Sequence, residues 1–97
     1  MEVEKLLKEK EEYITRLENC LLSYEDVSDR LLEETVKIVD DVDEKGKKIF
    51  SNEQSRIDEL KKRLPKDFFE KRKLKISIEI IRLKIDFLSE NIKFYSK

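Results

Sequence analysis

The chain has 97 residues, 46% of them charged and 38% hydrophobic, and its net charge is −1. That length predicts one domain spanning residues 1–97. The sequence contains no histidine and a single glycine, which removes the commonest general base and metal ligand and leaves no glycine-rich phosphate loop. We therefore expect no catalytic residues, no bound metal and no cofactor, and we predict that the protein is not an enzyme.

The cysteine content and the lengths of the apolar runs indicate in which cellular compartment the protein is expected. Cys20 is the only cysteine, so an internal disulfide is impossible and a reducing cytoplasm is the expected location. The acidic residues Glu2 and Glu4 do not fit a signal peptide. Apolar runs are too short to cross a bilayer, so no membrane partner is predicted.

The first part of the chain carries a long apolar repeat. Alternating steps of four and three residues visit twelve positions, nine of which are apolar: Val3, Leu7, Lys10, Ile14, Leu17, Leu21, Tyr24, Ser28, Leu31, Thr35, Ile38 and Val42. A second line with seven-residue spacing runs beside it: Leu6, Tyr13, Cys20 and Val27. A sustained 3.5-residue repeat is typical of a left-handed coiled coil. We predict a helix over residues 2–44 whose wide apolar face packs against more than one helix.

The end of this helix has one favourable and one unfavourable feature. Gly46 follows the last periodic residues and is expected to provide a left-handed C-cap. Residues 40–44 are mostly acidic, which does not suit the negative pole of a helix. A basic partner segment is one explanation for that acidic run.

A short second helix is predicted after the glycine. Ser51 and Gln54 have the spacing of a capping box, with Ser51 at the N-cap and Gln54 at N3. The helix is expected over residues 52–64, and Pro65 should end or kink it.

The last segment carries two conflicting patterns. Residues 73–80 alternate between polar and apolar side chains, as in a strand. A walk in steps of four and three from Leu74 to Tyr95 is nevertheless apolar at all seven positions, which is longer than most strands. Asp67 adds a capping signal before it. We predict a helix over residues 67–95.

The alternation then places a second apolar stripe on the far side of that helix, because residues two apart lie about 200° apart around a helix. This stripe comprises Ile76, Ile80, Leu83, Phe87 and Phe94. A helix that is apolar on two sides must be covered on two sides. The first helix can cover one side, and a second chain is expected to cover the other. The predicted oligomer interface is Ile76, Ile78, Ile80, Ile81, Leu83, Ile85, Phe87, Leu88 and Ile92.

Charge is divided unevenly along the chain. Residues 1–44 have a net charge of −9 and residues 45–97 a net charge of +8. Folding back near Gly46 would lay an acidic arm against a basic arm, and such asymmetry can set helix orientation. This arrangement is expected to bring Lys71, Arg72, Lys73 and Lys75 near Glu25, Asp26, Asp29, Glu33 and Glu34. The predicted fold is all-α, an elongated antiparallel helical hairpin or coiled coil (long helix, short helix, long helix) assembled into an oligomeric helical bundle.

A basic segment over residues 61–75 is a candidate nucleic-acid contact. It has a net charge of +6 and contains Phe68 and Phe69. Cations neutralise phosphates and aromatic rings stack on unpaired bases. The alternative is that these rings are core residues near Pro65 and that the cations face the acidic first helix. The candidate contact residues are Lys61, Lys62, Arg63, Lys66, Lys71, Arg72, Lys73 and Lys75.

The middle of the chain resembles small phage and prophage proteins. Gly46-Lys47, Phe50-Ser51-Asn52-Glu53 and Arg56 match their turn pattern, "GK…(Y/F)SNE…R", between two helical arms. The likeness covers residues 43–64 closely and the arms by pattern alone. It implies a phage-derived accessory or structural protein rather than a catalyst. A weaker likeness is to prefoldin, whose subunits are coiled-coil hairpins with β-hairpins between the arms, and residues 42–50 could form one such hairpin.

These observations predict a non-enzymatic structural or interaction protein, a homo-oligomeric coiled-coil scaffold or adaptor of phage or prophage origin. Its expected partner is itself, as a dimer or larger assembly, and another protein partner is possible. One alternative is a nucleic-acid-associated accessory protein of phage replication or recombination that uses residues 61–75. A further alternative is a prefoldin-like holdase.

Overall fold

A computed structural model describes residues 2–96 of the chain. They form three helices, α1 (Glu2–Asp40), α2 (Glu53–Arg63) and α3 (Pro65–Ser96), and none of these residues forms a strand. The all-α prediction, with its order of long, short and long helices, is confirmed. The residues that alternate between polar and apolar side chains are helical, so the strand-like pattern of 73–80 reflects two apolar helix faces.

The chain packs as two units, and each pairs a stretch of α1 with residues that follow the turn. In the unit formed by residues 2–24 and 73–96, Ile78 and Leu88 of α3 are 6% and 4% exposed. The half-buried positions of α1 fall on two neighbouring lines with seven-residue spacing: Leu6, Tyr13 and Cys20, and Val3, Lys10, Leu17 and Tyr24.

Only part of the predicted wide apolar face of α1 is covered within this unit. Leu7, Ile14 and Leu21 are exposed, whereas the line of Tyr13 and Cys20 is turned inward. Three adjacent seven-residue lines span more of the helix circumference than one partner helix can cover. The inner two lines are therefore packed against α3, and the third remains in solvent.

The unit of residues 25–72 has its own core. Val27, Leu31 and Ile38 of α1 are buried, and Ile38 is completely inaccessible to solvent. Leu60 and Leu64, from α2 and its C-terminal cap, are half-buried. Burying each such aliphatic side chain contributes roughly 1.5–3 kcal/mol, so α1 is stabilised here by the chain that follows the turn.

Helix α1 ends at Asp40, four residues before the predicted end at residue 44. Asp43 Oδ1 accepts hydrogen bonds from the backbone N–H groups of Lys45 and Lys47, both at 2.9 Å. Such a local side-chain to backbone bond offers an alternative to helical hydrogen bonding. Asp43 therefore belongs to a tight turn, which accounts for one member of the acidic run.

The turn is closed by backbone hydrogen bonds around Gly46. The N–H of Asp43 donates to the carbonyl of Lys47 at 2.8 Å, and that of Gly46 to Asp43 at 3.0 Å. Val42 and Lys48 form an isolated antiparallel bridge rather than a strand pair. Gly46 has φ of 78°, a conformation that side chains disfavour. It is the turn residue and not the cap of α1, six residues away, so that expectation was wrong.

The capping box of α2 is displaced by one residue from its predicted position. The N-cap is Asn52, whose side chain accepts a hydrogen bond from the N–H of Ser55 at 2.8 Å, while the Ser55 hydroxyl accepts from the Asn52 N–H. Gln54 instead donates to Asp58, one turn further along α2. Both Ser and Asn are good N-caps, which is why spacing alone chose Ser51 wrongly.

Helix α3 begins at Pro65, two residues before its predicted start. Proline suits the first position of a helix, since its missing N–H has no intrahelical partner there. The Leu64 N–H donates to the Leu60 carbonyl, and the Phe68 N–H to the Leu64 carbonyl, so α2 and α3 follow each other with one residue between them. Asp67 is consequently a first-turn residue, and its carboxylate binds Arg30.

None of the helices in the described part of the chain combines the length and apolar character needed for a membrane span.

Candidate interaction surface

The outward face of α3 is the most prominent feature of the unit formed by residues 2–24 and 73–96. Leu83 is 68% exposed and Phe94 74% exposed, whereas the inward residues Ile78 and Leu88 are buried. The exposed apolar residues of this face follow steps of four, three, four and seven. We call them the outer seam: Ile76, Ile80, Leu83, Phe87 and Phe94.

The nine residues predicted to form an oligomer interface divide into two sets. Five point toward α1, with Ile78 and Leu88 buried and the other three half-buried: Ile81, Ile85 and Ile92. These five are already covered within their own unit. The other four are exposed and lie on the outer seam: Ile76, Ile80, Leu83 and Phe87. Phe94 belongs to the same face but was left out of the predicted interface.

A shallow groove runs beside the outer seam in the same unit. Its volume is about 540 Å³, and Tyr13 and Cys20 of α1 line it together with Ile80 and Lys84 of α3. The Cys20 thiol is free and half-buried. The groove extends the apolar surface of Ile80 toward α1.

The residues of the basic segment 61–75 differ in how far their side chains are bound by other parts of the chain. Arg63 is bound to three carboxylates, with distances of 3.3 Å to Glu34, 3.2 Å to Asp41 and 3.0 Å to Glu59. The hydrogen bond to Glu59 is the main reason that the pKa of Arg63 is raised. Its guanidinium also lies 5.7 Å from the centre of the Phe50 ring. Arg63 is therefore occupied within the chain, and Asp41 has the basic partner that the acidic run suggested.

The aromatic pair of the basic segment is only partly covered. Phe68 and Phe69 meet edge to face, with ring centres 5.9 Å apart. The Lys61 ammonium lies 6.0 Å from the Phe68 ring centre and 5.2 Å from that of Phe69. Phe68 is half-buried and Phe69 is 45% exposed. The view that both rings are core residues therefore holds for Phe68 better than for Phe69.

The remaining predicted contact residues lie at the surface, apart from Lys71, which is half-buried. Lys71 has an interaction within the chain. The exposed ones are Lys61, Lys62, Lys66, Arg72, Lys73 and Lys75.

Several ion pairs within the unit of residues 25–72 link the first part of the chain to the part after the turn. Arg63 of α2 binds Glu34 of α1 and Asp41, the residue after the end of α1. The pairs also include Arg30 with Asp67, in which the acidic arm supplies the cation. Individual ion pairs therefore connect the two parts of the chain in this unit, and one of them runs opposite to the net charges of the arms.

The residues of the turn pattern at 46–56 have local structural roles. Gly46 makes the turn, Asn52 caps α2, and Arg56 Nε donates to the Phe50 carbonyl at 3.1 Å. Each of these contacts holds the connection between α1 and α2 in place. Within residues 2–96, no group of three or more Cys, Asp or Glu side chains is arranged to bind a metal ion.

No family model matches the chain, and searches of curated proteins and of solved structures find no significant match.

Proposed function

We propose that the protein is a non-enzymatic structural or interaction protein, a cytoplasmic scaffold or adaptor that self-associates through the outer seam of α3. The observation that supports this proposal is the exposure of five large apolar side chains along one face of one helix. Removing apolar surface from water contributes roughly 25 cal/mol per Å². Contiguous exposed apolar surface commonly marks an interaction site.

The spacing of the seam favours a helical partner. Ile76, Ile80, Leu83 and Phe87 repeat in steps of four, three and four, the spacing with which one helix inserts side chains between those of another. A helix packed on this face would leave α3 covered on both sides, as its two apolar faces require. The turn motif adds a phage or prophage origin to the proposal by resemblance.

The test is sedimentation equilibrium of the full chain at micromolar concentration. The unaltered protein should form a dimer or larger assembly. Leu83→Asp and Phe87→Asp, made separately, should shift it to monomer while circular dichroism shows unchanged helix content. Arg82→Asp, an exposed change beside the seam, is the matched control and should leave the assembly intact. A monomeric unaltered protein would overturn the proposal.

Nucleic-acid association through residues 61–75 is the second candidate function. The observation that favours it is the exposed Phe69 ring beside the Lys61 ammonium, since a ring and a cation together suit a single strand. The engagement of Arg63 counts against it. Fluorescence anisotropy with labelled single- and double-stranded DNA should show affinity that falls steeply with salt. Loss of that affinity in Phe69→Ala, but not in Phe94→Ala, would support this function, and no binding at low salt would remove it.

A further inference from the structure

Charged residues continue the outer seam of α3 at one end and interrupt it near the other. Lys73 lies three residues before Ile76 and Glu90 lies three residues after Phe87, and both are exposed. With them, the spacing runs three, four, three, four, three over six positions: Lys73, Ile76, Ile80, Leu83, Phe87 and Glu90. These positions span about 25 Å of helix at 1.5 Å per residue.

When the series is laid against a second copy that runs in the opposite direction, apolar residues face apolar residues and Lys73 faces Glu90. The midpoint lies between Ile81 and Arg82, and each seam position has a counterpart at the same distance on the other side. When a second α3 runs in the opposite direction, Ile80 faces Leu83 of the second copy and Ile76 faces its Phe87. The outermost layer then sets the Lys73 ammonium against the Glu90 carboxylate, once at each end.

We propose that the partner of the outer seam is a second copy of this chain, docked antiparallel on α3 and closed at both ends by Lys73–Glu90 ion pairs. The inference rests on the proposed self-association and adds its orientation and register. A parallel dimer in register would place Lys73 against Lys73 and Glu90 against Glu90 within the seam. Like charges there are closer together and less solvated than charges at the edge of a helix pair.

The residues flanking the seam oppose this orientation more weakly. Antiparallel pairing sets Glu79 beside Asp86 of the second copy, and a parallel pairing would set Glu79 beside Lys84. Glu79, Lys84 and Asp86 are all exposed, and screening by solvent and salt makes each such pair weak. The charges within the seam therefore decide the orientation, and Glu79 becomes a sensitive probe of it.

The decisive experiment is a charge-swap cycle measured by sedimentation equilibrium at low salt. Lys73→Glu and Glu90→Lys should each weaken the dimer about tenfold, since each introduces two like-charge contacts. The double variant should recover the original Kd. Lys75→Glu, the same change at an exposed residue off the seam, is the control and should have a much smaller effect. Glu79→Lys should tighten the antiparallel dimer, because the introduced ammonium would then face Asp86 of the second copy.

The outcomes show whether the antiparallel register fails alone or together with the proposed self-association. A dimer whose Kd does not recover in the double variant, or which Glu79→Lys weakens, has another orientation, and the antiparallel register is wrong while self-association stands. A dimer that survives Leu83→Asp uses a different surface, and both proposals fail. An unaltered protein that stays monomeric also overturns both.

Discussion

Arg30 binds Asp67 through two hydrogen bonds, Nε to Oδ2 and Nη2 to Oδ1, both 3.1 Å long. This forked contact joins α1 to the first turn of α3 within one packed unit. The bonds from Arg30 hold the pKa of Asp67 below its ordinary value of 3.8. The same contact raises the pKa of Arg30. Arg30 is half exposed, so salt should weaken the pair.

The contribution of this contact to stability should depend on pH. Because the pKa of Asp67 is lowered by folding, the stabilisation is complete above the unfolded pKa and is lost as the pH falls through the folded pKa. Asp67→Asn should lower the urea midpoint at neutral pH, and the gap to the unaltered protein should close in acid. Glu70→Gln on the same helix is the control. A gap that persists at low pH would contradict this assignment.

Arg63 should not be replaceable by lysine. Its planar guanidinium reaches Glu34, Asp41 and Glu59 at once, and a single ammonium cannot reproduce that geometry. Arg63→Lys should lower the urea midpoint clearly, whereas Arg72→Lys, an exposed arginine of the same unit, should leave it almost unchanged. Equal effects of the two substitutions would show that the three carboxylate contacts add no stability.

The cap of α2 can be tested with neighbouring substitutions. Asn52→Ala removes the acceptor for the Ser55 N–H and should destabilise the protein by about 1 kcal/mol. Ser51→Ala should have almost no effect, although sequence spacing marked Ser51 as the cap. Chemical denaturation of both variants measures the difference. A larger loss at Ser51 would restore the original capping register.

A side chain at Gly46 would meet no steric obstacle, but the positive φ of this residue is unfavourable for most side chains. No atom lies within 4 Å of a Cβ built there, and its φ is 78°. Gly46→Ala should therefore cost about 1 kcal/mol from backbone strain alone. Gly46→Asn should cost less, because asparagine adopts this conformation more readily. The measurement is urea unfolding with Lys45→Ala as the control, and equal stabilities of the alanine and asparagine variants would contradict the strain argument.

The helices were predictable because their signals are local and repeated. The walk that starts at Leu74 identified the inward face of α3 as far as Ile92, whereas its last residue, Tyr95, is exposed. Ile76, Ile80 and Leu83 identified the other apolar face. Choosing between Leu7 and Leu6 in α1 was not possible from periodicity, since both lines have the same spacing and only the position of α3 distinguishes them.

The helix ends were predicted less accurately for a related reason. Several residues at the helix ends are compatible with more than one local conformation: Asp43, Asn52 and Pro65. The contacts that select one conformation form only in the folded chain. Pro65 is predicted to end or kink α2, which does end before it, and it also starts α3. For Arg63 the sequence leaves open a nucleic-acid contact or a contact with the acidic first helix, and the structure supports the second, through Glu34 and Asp41, 29 and 22 residues away.

Those sequence separations also bear on how the chain folds. The contacts of Arg63 with Glu34 and Asp41 close loops of 29 and 22 residues. In the other unit, Cys20 and Ile80 line the same groove although they are 60 residues apart in sequence. Closing a loop costs more conformational entropy as the loop lengthens, by about 0.6 kcal/mol per doubling. We expect the unit around the turn to form early, and the two chain ends to come together after it, so substitutions near Arg63 should slow folding while those near Cys20 should mainly speed unfolding.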